Sequence, residues 1–136
     1  MTQLASERWE RIAESGDFDL LDDLLADDVV FESPIVHTPQ VGRAITKAYL
    51  IAAVQVLKSP ESRFVNRWFG ERSAVLELET RIDGLMINAV DIIGWNSEGR
   101  INRFKVMVRP LKAINALHQS MGRQLATSSK ELSLGR

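Results

Sequence analysis

Asp91 is the residue whose setting in this chain could do chemistry. It lies near the middle of Leu85 to Trp95, LMINAVDIIGW, a run otherwise apolar or small apart from Asn88. Read as a strand, the run alternates its side chains, so Asp91 shares a face with Leu85, Ile87, Ala89, Ile93 and Trp95. A carboxylate on an apolar, inward face either finds partners or holds its proton, because charge is costly away from water. The chemistry expected is that of one perturbed acid in an apolar enclosure, giving a proton or a hydrogen bond to a ligand.

Other reactive types are sparse. Cysteine is absent, which excludes disulfides, thiol catalysis and cysteine-based zinc sites, and the histidines are only His37 and His118. Asp27, Asp28 and Glu32 are close in sequence, but a hard metal needs several carboxylates converging on one point. Alternation turns Glu32 away from the face of Phe31, and Asp27-Asp28 reads as a helix end, so no metal is expected. There is no glycine-rich phosphate loop, and no cofactor is expected.

The elements that must position Asp91 follow from periodicity. Leu4, Trp9, Ile12 and Ala13 form a helical stripe over 3–14. Gly16 stops that helix, and Asp17 is placed to cap a second one carrying Phe18, Leu21, Leu24 and Leu25 and ending at Ala26-Asp27-Asp28. Val29 to Ser33 reads as a short strand with Val29, Phe31 and Ser33 on one face; Pro34 to Val41, with His37, reads as a loop. Gly42 to Leu57 is a helix with the stripe Ile45, Tyr49, Ala52, Ala53 and Val56, broken by Ser59-Pro60. From there the period becomes two. Strands are expected over Phe64 to Phe69, Ser73 to Ile82, the Asp91 run after an Asp83-Gly84 hairpin turn, and Ile101 to Val108. Pro110 opens a last helix, 110–126, striped by Leu111, Ile114, Leu117, Met121 and Leu125, and 127–136 reads as a polar, frayed tail.

One domain, 1–126, accounts for all of this. With 136 residues, 45% hydrophobic and 26% charged, the chain is long enough and apolar enough for one core. The 17 basic and 18 acidic residues nearly cancel and form no basic block, so a nucleic-acid surface is not expected. No apolar run nears the roughly 20 residues that cross a bilayer, so no membrane partner is expected. The opening MTQLASERWER is charged where a signal peptide is apolar, and a cytoplasmic protein is the expectation.

The order of elements, with GDFDLLDDLLADDVVFESP, GRAITKAYL and VDIIGWNSEGRINRF, resembles the nuclear transport factor 2-like superfamily over roughly residues 5 to 109. Within it the likeness is to the SnoaL-like and ketosteroid-isomerase-like branch. The resemblance implies an α+β fold, a cone in which a curved antiparallel sheet wraps around helices (the cystatin-like roll), with an apolar cavity. It also implies a homodimer formed through the outer sheet face. Ketosteroid isomerases of this fold use a tyrosine on the first helix, an aspartate base ending the first strand, and an aspartate donor on a late strand. Those positions fall on Trp9, on Ser33 within Glu32-Ser33-Pro34, and on Asp91, so only the donor is matched.

A serine with no adjacent base cannot take a proton from carbon, and indole is a weak donor, so ketosteroid isomerisation by the family mechanism is disfavoured. The Asp-Arg-Asp set of limonene-epoxide-hydrolase relatives meets Ala89, and the paired histidines of scytalone-dehydratase relatives are incomplete here. The reading that remains is a SnoaL-like protein binding a small, mostly apolar molecule, with Asp91 as the acid of an isomerase, cyclase or dehydratase. The alternative is a non-catalytic ligand-binding or dimeric interaction module. Trp9, Ser33 and His37 are the expected polar or aromatic ligand contacts. The expected apolar lining is Leu25, Phe31, Leu50, Leu76, Leu78, Ile87, Ala89, Phe104, Val106 and Val108.

Overall fold

The computed structural model describes the backbone of residues 4–134 and side chains through residue 126. Helix α1 (Ala5–Ser15) buries Trp9 and Ile12 and stops at Gly16, whose φ of 75° lets its N–H reach the Ile12 carbonyl at 2.9 Å. A 3₁₀ turn (Phe18–Leu20) and the single-turn helix α2 (Leu21–Leu24) replace the longer helix expected there. Asp17 is correspondingly not a side-chain cap. Strand β1 (Leu25–Glu32) takes in Ala26-Asp27-Asp28, which the sequence suggested as a helix end. Leu24, Leu25 and Ala26 are all buried, and consecutive burial of that kind suits an extended chain entering the core better than a helix face. Asp27 pairs with Arg43, and Glu32 with Lys105 at 3.7 Å.

A two-residue strand, β2 (Gln40–Val41), pairs with Val30 and Phe31 inside what reads as a loop. Helix α3 (Arg43–Leu57) starts one residue later than expected, with Gly42 as its N-cap, and of the expected stripe it fully buries only Ala52; Thr46 and Leu50 are inside with it and Ile45 is 38% exposed. Strands β3 (Arg63–Gly70), β4 (Ser73–Ile82), β5 (Leu85–Trp95) and β6 (Ile101–Arg109) follow in an antiparallel meander. Helix α4 (Leu111–Leu134) packs on α3, β5 and β6. It runs eight residues past the expected end at 126, because 127–134 holds neither glycine nor proline to break a helix. Residues 135 and 136 of the expected tail, like residue 3 of the expected first helix, lie outside the described residues. No helix among the described residues is long and apolar enough to cross a membrane.

The architecture is α+β, with one six-stranded sheet in the order β2-β1-β6-β5-β4-β3. Every seam is antiparallel except β1–β6, which is parallel, since the chain crosses from one edge region to the other before returning. Bulges curve the sheet. One lies on β3 between Phe64 and Asn66, and another on β6 where Gly94 and Trp95 pair with Arg103 and Ile101. The concave face carries Leu76, Ile93, Ile101 and Phe104, fully or almost fully buried, against Trp9, Ile12 and Leu24.

Candidate functional site

Strand β5 buries Ile87, Ala89, Asp91, Ile93 and Trp95 and leaves the alternate residues partly or fully exposed, so its pleat turns Asp91 inward as the sequence requires. Register places Asp91 between Leu76 of β4 and Val106 of β6, both apolar. From the facing helix α1, the indole Nε1–H of Trp9 donates to Asp91 Oδ2 at 3.1 Å. The indole is held edge-on to Phe104 at a centroid distance of 5.1 Å. Burial, the largest effect, pushes the Asp91 carboxyl up to about 7; the Trp9 hydrogen bond opposes this and the nearby charge of Glu10 adds to it. Asp91 Oδ1 has no hydrogen-bond partner among the described residues, yet only Ser6 Oγ and Thr46 Oγ1 are both sealed from solvent and unpartnered. The free oxygen therefore keeps access to the space beside it.

That space is a pocket of about 370 Å³ between α1, α3 and the concave sheet face, within the size range of small-molecule sites. Its inner wall is apolar, formed with Asp91 by Trp9, Leu50, Leu78, Phe104 and Val106. These five are sequence-expected ligand contacts that the fold brings to the acid. Phe31 and Ser33 line a second, smaller pocket of about 200 Å³, under the start of the β1–β2 loop and against Leu117 and Met121 of α4. Ala53, Leu57 and Val106 border both spaces, which adjoin there.

The Ser33 hydroxyl accepts from the backbone N–H groups of Ile35 and Val36 at 3.2 and 2.9 Å, which ties it into the turn at Pro34. Ser33 and Asp91 line different but adjoining pockets, which share Ala53, Leu57 and Val106. Leu25 and Leu76 are wholly packed in the core, and Ile87 and Ala89 are buried and line neither pocket. Val108 is half-buried and also lines neither, and His37 is exposed in its loop.

Several lining residues were not expected as ligand contacts from sequence, among them Ala53, Val54 and Leu57, which join the expected Leu50. Leu50, Ala53, Val54 and Leu57 form a regular i, i+3, i+4, i+7 face of α3, one residue out of phase with the expected stripe. The sequence holds both phases because α3 is apolar around most of its surface, and Tyr49 on the other phase lines the second pocket. On β3, simple alternation would put Phe64 and Arg67 on opposite faces. The bulge at Val65 lets Phe64 pair with Leu78 and Arg67 with Leu76, so both turn inward. Arg67 then clasps Glu10 of α1, Nε to Oε2 at 2.9 Å and Nη2 to Oε1 at 2.5 Å, pinning the helix over the pocket.

A family model described as the SnoaL-like domain matches residues 6–104. Among solved structures, a steroid delta-isomerase from Pseudomonas aeruginosa is 30% identical, with 93% of this chain and 92% of that chain covered and a TM-score of 0.87. A protein with a cystatin-like fold from Silicibacter pomeroyi is 29% identical over 95% of this chain and 90% of that one, with a TM-score of 0.85. The epoxide hydrolase/cyclase-like enzyme SalBIII, 20% identical over 77% of this chain and 88% of its own, has a TM-score of 0.62 and shares the fold. None of the curated proteins compared with the chain matches it.

Proposed function

The chain belongs to the SnoaL-like domain family, and from that premise we propose that it binds a small, mostly apolar molecule in the pocket above Asp91 and acts on it with Asp91 as the acid. The observation that carries this is the Asp91 carboxyl itself, with one oxygen held by Trp9 and the other without a partner among the described residues, beside an apolar space. Near neutral pH a carboxyl with its midpoint at about 7 is present in both forms. The protonated form donates to a carbonyl, enol or ether oxygen of the ligand, and the low-polarity surroundings strengthen that bond as charge develops. Once the proton has passed to the ligand, the Trp9 N–H favours the carboxylate left behind, so the same group is able to take a proton back.

A single acid that relays a proton suits isomerisation, cyclisation or dehydration, and the isomerase named above, 30% identical, supports that range. A second base facing the ligand is not part of this reading, since Ser33 is engaged in its own turn. Ketosteroid isomerisation by an aspartate base is therefore not proposed. The test is a panel of cyclic ketones and phenols followed through the Trp9 indole N–H resonance, with Asp91→Asn alongside. Ligands that shift the resonance, and turnover lost in the variant, are the expected outcome. A panel that leaves Trp9 unmoved would overturn the site.

The second reading is a non-catalytic binding module, favoured by the fact that Trp9 uses its one donor on Asp91 rather than keeping it for a ligand. In that case Asp91→Asn leaves binding nearly intact and there is no turnover to lose. Either reading goes with a homodimer through the outer sheet face. There Trp68, 54% exposed, pairs with Val75 and then Ile92 across the strands, next to Val90 and Met107, which is 52% exposed.

A further inference from the structure

The Asp91 pocket is apolar within but charged at its mouth, where Lys58, Arg63 and Arg67 stand against the single acid Glu14. Arg67 is neutralised by Glu10. Lys58 makes no ion pair among the described residues, and Arg63, with its side chain 73% exposed, reaches only Glu79 at 3.9 Å.

The chain between Lys58 and Arg63 fixes the backbone positions from which these two side chains extend. Lys58 follows the last residue of α3 and Arg63 is the first of β3. The turn joining them is tied by Ser62 Oγ, which donates to the Leu57 carbonyl at 2.6 Å and bonds Thr80 Oγ1 at 2.6 Å. Ser59 Oγ meets the same Thr80 hydroxyl at 3.0 Å. A cation at a helix C-terminus is favourable in itself, which accounts for Lys58 but not for Arg63. Nor does general basicity explain the pair, since the whole chain carries a formal net charge of −1.

We propose that the ligand of this pocket carries an anionic group, a carboxylate, at the end opposite the oxygen that meets Asp91, and that Lys58 and Arg63 receive it at the mouth. The substrate class is then an amphiphilic acid whose apolar body fills the pocket and whose carboxylate stays at the water's edge. This rests on the reading of the pocket as a ligand site. It adds a requirement that the apolar wall alone does not impose. Exposed ion pairs contribute little each, so the gain is selectivity for acids over their neutral analogues, with only moderate added affinity.

The test compares a hydroxynaphthoate with the matching hydroxynaphthamide, two probes of nearly equal shape that differ in charge. Binding is titrated by calorimetry near pH 6, with the Trp9 indole resonance as the reporter of where the probe sits. The acid is expected to bind about three- to tenfold more tightly than the amide, the gain of one or two exposed ion pairs. That advantage is expected to vanish in the Lys58→Gln/Arg63→Gln double variant and at high salt. It is expected to persist in Lys112→Gln, a residue that lines no part of the mouth. Equal binding of acid and amide, both shifting Trp9, overturns the anionic requirement and leaves the pocket reading standing. An acid preference that survives the double variant overturns the assignment to Lys58 and Arg63. If neither probe moves Trp9, the pocket reading falls and this inference with it.

Discussion

At the scale of the residue, Asp91 couples folding to pH. Its carboxyl titrates near the ordinary 3.8 when unfolded and at about 7 when folded. Between those values the folded protein holds a proton that the unfolded chain has lost, so stability falls as pH rises through the window and levels off above it. The difference amounts to at most roughly 4 kcal/mol. Asp91→Asn removes the titration, and the variant is expected to gain on the wild type between about pH 4 and about pH 8 in urea denaturation; parallel curves would contradict it. Trp9→Phe removes the donor that favours the carboxylate among the described residues and is expected to raise the Asp91 pKa further, measured by carbon-13 titration. Asp91 was legible in the sequence because an acid on an apolar strand face is a conflict that alternation alone exposes. Arg67 was not, because its inward turn depends on one extra residue in the β3 ladder, which no side-chain pattern announces.

At the scale of the element, the turn chemistry was the most readable part. Asp83-Gly84 set the ends of β4 and β5, and the two residues take φ values of 51° and 79°. A Cβ added at Gly84 meets nothing within 4 Å, so Gly84→Ala is expected to cost only backbone strain, about 1–2 kcal/mol. A shift in urea midpoint reads this out, and no shift would mean that the hairpin relaxes. The α3 phase was not readable, because a helix apolar around most of its surface gives no unique inward face; the two pockets on either side of it decide the matter. The parallel β1–β6 seam depends on where the chain re-enters the sheet, a long-range fact that local periodicity does not carry. Helix α4 buries Ala113 and Leu117 and walls the second pocket. Truncation after Pro110 is expected to open that pocket, expose apolar surface and lower the urea midpoint. An equally stable truncated chain would show that α4 is packed without consequence.

At the scale of the whole molecule, the cone uses its two sheet faces differently. The concave face closes over Asp91, while the convex face presents Trp68 and Met107 to solvent. Paired across β3 to β6 with Val75, Ile92 and Val90, these residues form the patch proposed to hold a second copy. Trp68→Glu together with Met107→Glu is expected to convert a dimer to a monomer in sedimentation velocity, with the fold intact by circular dichroism. A wild type that sediments as a monomer at high concentration would remove the dimer. Such a face was legible only as alternation on separate strands, because its continuity requires the register between them.

The proposed role of Asp91 requires an acid that folding both buries and leaves open to a ligand. The measurement that reaches it most directly is the carboxyl pKa of Asp91 by carbon-13 NMR, assigned with Asp91→Asn, without and with a cyclic ketone or phenol. The prediction is a value near 7 in the free protein that moves when the ligand binds. A value near the ordinary carboxylate range, or a raised one that no ligand moves, would make Asp91 a structural carboxyl and contradict its role as the acid of a ligand site.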